Sequence, residues 1–415
     1  MNLIFFEVPR YRDNLKPFTL TRPIAEIRLG ILSLAEKWEK HLKVEVLNNG
    51  YFTDQYLQAK FPLHSAEHSI CINASLCPSP ALVEAINQLK EGQLLEKDGE
   101  LLAICPTSAH TSTLGELRHE VYTEKFAKLI AMVETYEKQS YTEHAFLLTQ
   151  PWQIFLENGE QIKADYQLIA TGRTSANIED PHTIYYGKPE DIFIEEGVSI
   201  RASILNAENG PIYLGKGATI HENGVIKGPF AMLENSHVNI GSKIREATTI
   251  GPHSKLGGEV KNVVVFGNSN KGHEGFLGNS VIGEWCNFGA DTNASNLKNN
   301  YKPVKIWNYG THRYEDTGEL FCGLLMGDHS KCGINTMFNT GTVVGVFANI
   351  FGTGYPEKFI PSFSWGAVTE TAPYRIEKAL EVARDVLKRR GITLSEQEAD
   401  ILRYIYEHRT HETQP

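Results

Sequence analysis

From Leu214 to Leu256 a branched or long apolar side chain returns at every sixth position: Leu214, Ile220, Ile226, Met232, Val238, Ile244, Ile250 and Leu256. Small and polar residues, with Gly and Asn prominent, fill the intervals. A period of six matches neither the 3.6 of a helix nor the alternation of a strand. It marks a parallel β-helix, in which one side chain per hexad points inward and neighbouring coils bury the column. Hexads continue, with interruptions, from about Ile194 to about Phe351. The first interruption is KNVVVFGNSNKGHEGFLGNS (261–280), after which the register returns at Ile282 and Phe288. The second runs from about Lys298 to Gly323, where Thr317-Gly318 suggests a hairpin projecting from a coil.

Ahead of the repeat, residues 1–175 alternate strand and helix signals and predict an α/β, Rossmann-like domain with a mostly parallel sheet. Strands are expected at Leu3–Phe6, Val44–Leu47 and Ser69–Asn73, and helices at Pro23–Leu42 and Pro80–Leu89. Asp98-Gly99 between QLLEK and ELLAI reads as a hairpin turn. The Thr-, Pro- and Gly-rich stretch 176–192 reads as a linker, 193–371 as the β-helix domain and 372–415 as C-terminal helices. Gly391 ends the first of these helices, and Ser395-Glu396-Gln397-Glu398 offers the second a capping box.

A net charge of −10 over 415 residues argues against a nucleic-acid partner, although cations gathered locally can still bind anions. Six cysteines without a CxxC or metal-ligand spacing read as free thiols. The opening MNLIFFEVPRYRDN has too few apolar residues before Glu7 and Pro9 for a signal peptide, and no apolar run approaches the ~20 residues of a membrane span. The expectation is a reduced, cytoplasmic protein with no membrane partner.

The chemistry is sought where the repeat lapses. His273 lies in GHEGFLGNSVIGEWCNFGADTNASN, just before the register returns. An imidazole, with an unperturbed pKa of ~6.5, suits proton abstraction from an amine nucleophile. Position alone favours a surface or structural histidine, one of fifteen. This stretch resembles the acetyltransferase half of the GlmU family, the bifunctional N-acetylglucosamine-1-phosphate uridyltransferase and glucosamine-1-phosphate N-acetyltransferase. The family's NHLSYIGD, INIGAGT and SNYDG segments are matched by GHEGFLGN, CNFGADT and SNLKNNYK.

The resemblance implies a left-handed β-helix with His273 as catalytic base. It implies substrate-binding roles for Arg245, Lys261, Phe276, Asn287 and Lys302, and an acetyl-coenzyme A contact at Asn296. It also implies a homotrimer, since the family builds this site between subunits. Phe276 replaces the family's tyrosine, and Leu297 the tyrosine of SNYDG. Physically, Arg245, Lys261 and Lys302 could hold a sugar phosphate through charge-assisted hydrogen bonds, whereas each cation alone reads as a solvated surface charge. His273 would accept the amine proton as nitrogen attacks the thioester.

RDNLKPFTLTRPIAEIRLG (12–30) is similar to the opening of sugar-phosphate nucleotidyltransferases, with Pro17, Thr19, Thr21, Arg22 and Pro23 in matching places. Arg12-Asp13-Asn14 replace the phosphate-approaching glycines, Ile24 replaces a lysine, and ICINAS (70–75) lacks the Asp that would hold Mg²⁺. Arg12, Thr21 and Arg22 are the candidate nucleotide contacts, with Arg10 and Arg28 nearby. LTRPIAEIRLGI, PWQIF, TGR and GDHSKCGINTMFNTGTVVG extend the resemblance over nearly the whole chain, to a divergent GlmU-like branch of sugar nucleotidyltransferases. The implied activity is acetyl-coenzyme A-dependent N-acetylation of a hexosamine phosphate, accompanied by nucleotidyl transfer to a sugar-1-phosphate in UDP-N-acetylglucosamine-type synthesis. The alternatives are an acyltransferase acting on a nucleotide-linked amino sugar, and a non-catalytic protein that binds a sugar nucleotide.

Overall fold

The computed structural model describes residues 2–42, 49–64, 68–117, 120–368 and 370–413. The expected strand Val44–Leu47 lies outside the described residues. The N-terminal sheet runs in the order Gly50–Phe52, Asn2–Phe6, Ser69–Asn73, Glu100–Cys105, Gln93–Lys97, Glu137–Ser140. Its first three strands are parallel, and the hairpin Gln93–Lys97/Glu100–Cys105 is antiparallel. Asp98 and Gly99 both sit at positive φ (51° and 82°), the pairing that a two-residue type I′ turn requires.

The segment expected as a helix from Pro23 to Leu42 is helical only in its second half. A single 3₁₀ turn, Ile24–Glu26, is followed by irregular chain, and the α-helix is Leu34–Leu42. Tertiary partners outbid the helical ladder. Gly30 takes φ +85°, its N–H donates to Asn158 Oδ1 (2.9 Å), and the N–H groups of Ile31 and Leu32 donate to Asp165 Oδ2 (2.8 and 3.1 Å). Ser33 and Glu36 then cap the true helix start by exchanging side-chain-to-backbone hydrogen bonds (2.7 and 3.2 Å).

Three hexads make one coil of the β-helix. Leu214, Met232 and Ile250 stack in one inward column, Ile220, Val238 and Leu256 in a second, and Ile226 and Ile244 in a third. All are at most 1% exposed, as a continuous solenoid core requires. The solenoid begins within the stretch expected as a linker, because Ile184–Tyr186 already pairs in parallel with Ile204–Asn206. Its first face also presents a column of outward residues, Phe193, Tyr213, Ala231, Thr249, Val264, Val281, Leu325 and Val343 in successive register, apolar but for Thr249. The N-terminal domain buries this face, chiefly through the long helix Gln153–Ala170, whose Ile154, Phe155 and Ile162 are fully buried. Trp152, at the start of that helix, packs against the same core.

The second interruption forms a hairpin, Lys305–Asn308 with Arg313–Asp316, that folds back against the N-terminal domain instead of projecting. Trp307 stacks on Phe359 (4.6 Å), and Asn308 Nδ2 donates to Asn14 Oδ1 (3.2 Å). Thr317-Gly318 follows the second strand and is not the turn. The C-terminal helices Ile376–Lys388 and Glu396–His408 pack on Phe347 and Phe363, and Ser395 with Glu398 forms a capping box. No helix among the described residues is long and apolar enough to cross a membrane.

Candidate functional site

The first interruption changes coil length, and this is what builds the site. Leu256 pairs with Lys271 where a full coil would have reached position 274. The inward column therefore contains a lysine. Lys271 is 4% exposed, and its ammonium donates to the carbonyls of His273 (2.8 Å), Gly257 (3.2 Å) and Glu274 (3.3 Å). Burial pushes its pKa down to about 8, with Glu274 pulling the other way. From inside the solenoid Lys271 fixes the corner that carries His273. The sequence pattern did not single it out, because only strand pairing shows that it takes the place of Leu256. The His273 side chain is exposed, and no partner engages its ring among the described residues.

Beyond this corner the third face carries a ladder of cations. Ile226 pairs with Ile244, and Arg245 N–H bonds Val260 O (2.7 Å), so Lys227, Arg245 and Lys261 occupy equivalent outward positions on successive coils. Glu246 lies among them, 3.7 Å from Lys261 and 3.9 Å from Arg245, while Glu259 is 3.7 Å from Arg245. Burial would raise the Glu246 carboxyl, but its own backbone N–H and then Lys261, Arg245 and Lys227 hold it below the usual range.

The next rung is Gly278, opposite Lys261. A Cβ there would lie 2.6 Å from Phe276 Cζ and 2.8 Å from Asn296 Nδ2, so the missing side chain makes room for both. Phe276 N–H donates to Asn293 Oδ1 and Asn296 Nδ2 to Asn279 Oδ1, each at 2.8 Å. The structure thus brings Arg245, Lys261, Phe276 and Asn296 onto one face, with His273 at its edge. Asn287 is exposed on the adjacent, second face, in the column of Lys255, Asn270 and Lys331. Lys302 is exposed in the segment before the hairpin, with no side-chain contact to the others among the described residues.

The candidate nucleotide residues are placed differently from expectation. Arg12 is 3% exposed and locked in a network with Glu7 (3.1 and 3.2 Å), Thr19 O (2.7 Å) and Tyr56 OH (3.0 Å). This guanidinium is thus engaged within the N-terminal domain, beside the first strand. Arg22, 7% exposed, pairs with Asp328 of the β-helix and lies over the Phe266 ring (5.1 Å). Thr21 donates to the same carboxylate (2.7 Å). Both line a cavity of about 240 Å³ between the N-terminal domain, the β-helix and the last helix, shared with Arg28, Lys60, Trp285 and His329. Asn73, at the end of the strand where a metal-holding Asp is sought, donates to Leu101 O (2.9 Å). No group of three or more His, Cys, Asp or Glu side chains among the described residues is disposed to hold a metal ion. The residues at that strand end do not fit Mg²⁺.

The chain thus joins an α/β domain to a hexapeptide-repeat β-helix that carries a histidine corner and a cationic face. Residues 3–174 match the family described as sugar nucleotidyl transferase. The chain is 39% identical over 102 residues to the bifunctional protein GlmU of Methanocaldococcus jannaschii, covering 25% of this chain and 23% of that one. It is 34% identical over 112 residues to the bifunctional sugar-1-phosphate nucleotidylyltransferase/acetyltransferase of Sulfurisphaera tokodaii, covering 26% and 27%. With the GlmU of Wigglesworthia glossinidia brevipalpis it shares 26% identity over 209 residues, 46% and 41% of the two chains. The match thus spans 23% and 27% of the first two relatives. Among solved structures, the polysialic acid-specific acetyltransferase NeuO aligns over 51% of this chain and 98% of its own at 11% identity and a TM-score of 0.26.

Proposed function

We propose that the β-helix transfers the acetyl group of acetyl-coenzyme A to the amine of a hexosamine phosphate of the glucosamine-1-phosphate type. The observation that carries this reading is the register of Lys227, Arg245 and Lys261 on three successive coils, ending at the cradle of Gly278, Phe276 and Asn296. A phosphate dianion takes charge-assisted hydrogen bonds from Arg245 and Lys261, displacing Glu246 and Glu259 from their long contacts. The amine nitrogen forms a bond to the thioester carbonyl carbon, the carbon–sulfur bond breaks, and coenzyme A leaves as the thiol. His273 takes the amine proton. Asn296 faces the coenzyme, and Gly278 admits it beside Phe276. Asn287 and Lys302 stand off the cationic face, so a neighbouring subunit of a homotrimer supplies them. The reaction belongs to the cytoplasm, where acetyl-coenzyme A is available and the six unpaired cysteines stay reduced.

The test is thiol release from acetyl-coenzyme A against a panel of aminosugar phosphates. Turnover with one of them, lost in His273→Ala, and a KM for the phosphorylated acceptor raised about tenfold or more in Arg245→Ala and Lys261→Ala supports the reading. Absence of thiol release with every acceptor, or unchanged turnover in His273→Ala, refutes it.

A second reading concerns the N-terminal domain, which binds a sugar nucleotide without turning it over. The sealing of Arg12 against Glu7 and the amide of Asn73 at the metal position favour this over nucleotidyl transfer. Pyrophosphate release from a nucleoside triphosphate and a sugar-1-phosphate would overturn it.

A further inference from the structure

The second face of the β-helix carries a cavity lined by cations, apart from the cationic ladder. Its successive strands set Lys255, Asn270, Asn287 and Lys331 in one outward column. The end of the helix Ile376–Lys388 and the following Arg389 and Arg390 lie over that column and enclose a cavity of about 600 Å³. Lys255, Lys331, Arg389 and Arg390 line it, and no carboxylate does. None of the four makes an ion pair among the described residues, although the chain carries a net charge of −10; Lys331 and Arg390 are half-buried, and Lys255 and Arg389 are exposed.

Their known contacts are neutral. Arg390 donates to His253 O (2.5 Å), and Lys331 to His329 O (2.9 Å). Burial holds the pKa of both below the ordinary value. Lys331 and Arg390, partly desolvated and with no counter-charge, raise the free energy of the empty site, and an anion that enters relieves it.

Shape narrows the ligand. Lys255 and Lys331 are three inter-strand steps apart, about 14 Å at the usual strand spacing. A single phosphate cannot reach both ends, whereas an extended polyphosphate can. Trp285 lines the same cavity from the corner between the faces. It holds φ +62°, the left-handed corner conformation that His253 and Asn268 take on the preceding coils and His329, Phe347 and Phe363 on the following ones. An indole beside unpaired cations suits a nucleobase next to its phosphates.

We propose that this cavity binds a nucleoside carrying two or more phosphates, the phosphates along Lys255, Arg389, Arg390 and Lys331 and the base on Trp285. The ligand is either a free nucleoside triphosphate or the adenosine-phosphate end of coenzyme A. The proposal does not rest on acyl transfer from His273.

Isothermal titration of the full chain with UTP, ATP, coenzyme A and inorganic tripolyphosphate tests it. Saturable binding of at least one nucleotide is expected, weakened about tenfold or more in Arg389→Ala/Arg390→Ala and in Lys255→Glu, and unchanged in Arg201→Ala, whose guanidinium faces Glu222. Trp285→Ala should weaken the nucleotide and leave tripolyphosphate unaffected. Coenzyme A binding alone assigns the site to the cosubstrate, and triphosphate binding alone to a separate nucleotide. Lack of saturable binding by any nucleotide, or affinity unchanged in both cation variants, overturns the proposal. Equal loss of tripolyphosphate in Trp285→Ala overturns the stacking of the base.

Discussion

Arg22 and Asp328 stand 306 positions apart in the chain and form a buried ion pair that joins the N-terminal domain to the β-helix. Asp328 also accepts from Thr21 Oγ1 and from the backbone N–H of Glu284 (2.7 and 2.9 Å), so the carboxylate is fully engaged. Removing Arg22 leaves the buried carboxylate without its counter-charge, and removing Asp328 leaves the guanidinium only a longer contact to Glu284 (3.5 Å). Asp328→Ala should cost about 3–5 kcal/mol, read as a lowered urea midpoint, and Arg22→Met/Asp328→Leu should cost less than either single change. Burial alone would raise the Asp328 carboxyl, but Arg22 and its hydrogen bonds hold it below the ordinary 3.8. Its contribution is therefore present above 3.8 and lost as the pH falls through the lower, folded-state value. A single variant with an unchanged midpoint would contradict this account.

Gly30 tests the irregular chain that replaces the expected long helix. Its φ is +85°, and a Cβ would lie 2.5 Å from Asp165 Oδ2 and 2.8 Å from the backbone carbon of Gln161. Asp165 is itself paired with buried Lys37, so it has no room to yield. Gly30→Ala should destabilise by about 3 kcal/mol or more, seen as a fall in Tm and in soluble yield. Gly99→Ala, also at positive φ but with open space around it, should cost only about 1 kcal/mol, and the contrast separates packing from backbone strain.

The solenoid was legible because its period is written in one residue type at one spacing. Leu214 to Leu256 hold that spacing without a gap, and each residue does face inward. The helix expected at 23–42 illustrates the opposite case. Ile24, Ile27, Ile31 and Leu34 recur at helical intervals and are all buried, yet side chains of the helix 153–170 pin the backbone out of helix. The Ser33–Glu36 cap was a readable signal of the true start. Arg12 and Arg22 could not be assigned from sequence, because an arginine bound for a phosphate and one bound for a distant carboxylate look alike. The corner ladder of Trp285, His329, Phe347 and Phe363 was hidden for a related reason. Its near-parallel ring pairs, at 6.3, 5.0 and 5.6 Å, arise only once coils of unequal length are stacked.

Glu412 gives the C-terminal segment a pH dependence. Burial pushes its carboxyl up to about 7, against the Ser362 N–H that donates to it at 2.8 Å. An acid whose folded value is raised stabilises the fold fully below its unfolded value of 4.5, and that contribution is lost as the pH rises through about 7. Docking of residues 409–412 should therefore loosen progressively between about pH 4.5 and 7, with faster limited proteolysis at the C-terminus. Glu412→Gln keeps an acceptor for Ser362 without a charge and should make the cleavage rate nearly independent of pH over that range. Equal pH dependence in the variant would assign the effect to another group.

Gly278 is the most economical probe of the candidate acyl-transfer face, because it meets Lys261 only through its backbone and does not touch His273. A methyl group there meets Phe276 Cζ at 2.6 Å and Asn296 Nδ2 at 2.8 Å, so the ring and the amide must both give way. The Gly278 backbone is not at positive φ, and its strand pairing with Lys261 does not depend on the side chain. The fold should accept Gly278→Ala with a small change in Tm, since a ring at the solenoid surface can swing outward. The cradle should not, because Phe276 and Asn296 border the place where acceptor and thioester must meet within reach of His273. A displacement of about 1 Å at such a place costs on the order of a hundredfold in rate. The expected outcome is kcat/KM for thiol release down about tenfold to a hundredfold, while the KM for the phosphorylated acceptor, set by Arg245 and Lys261, changes little. A variant whose turnover matches the parent would remove Phe276 and Asn296 from the site and leave the cationic ladder to be explained by another ligand.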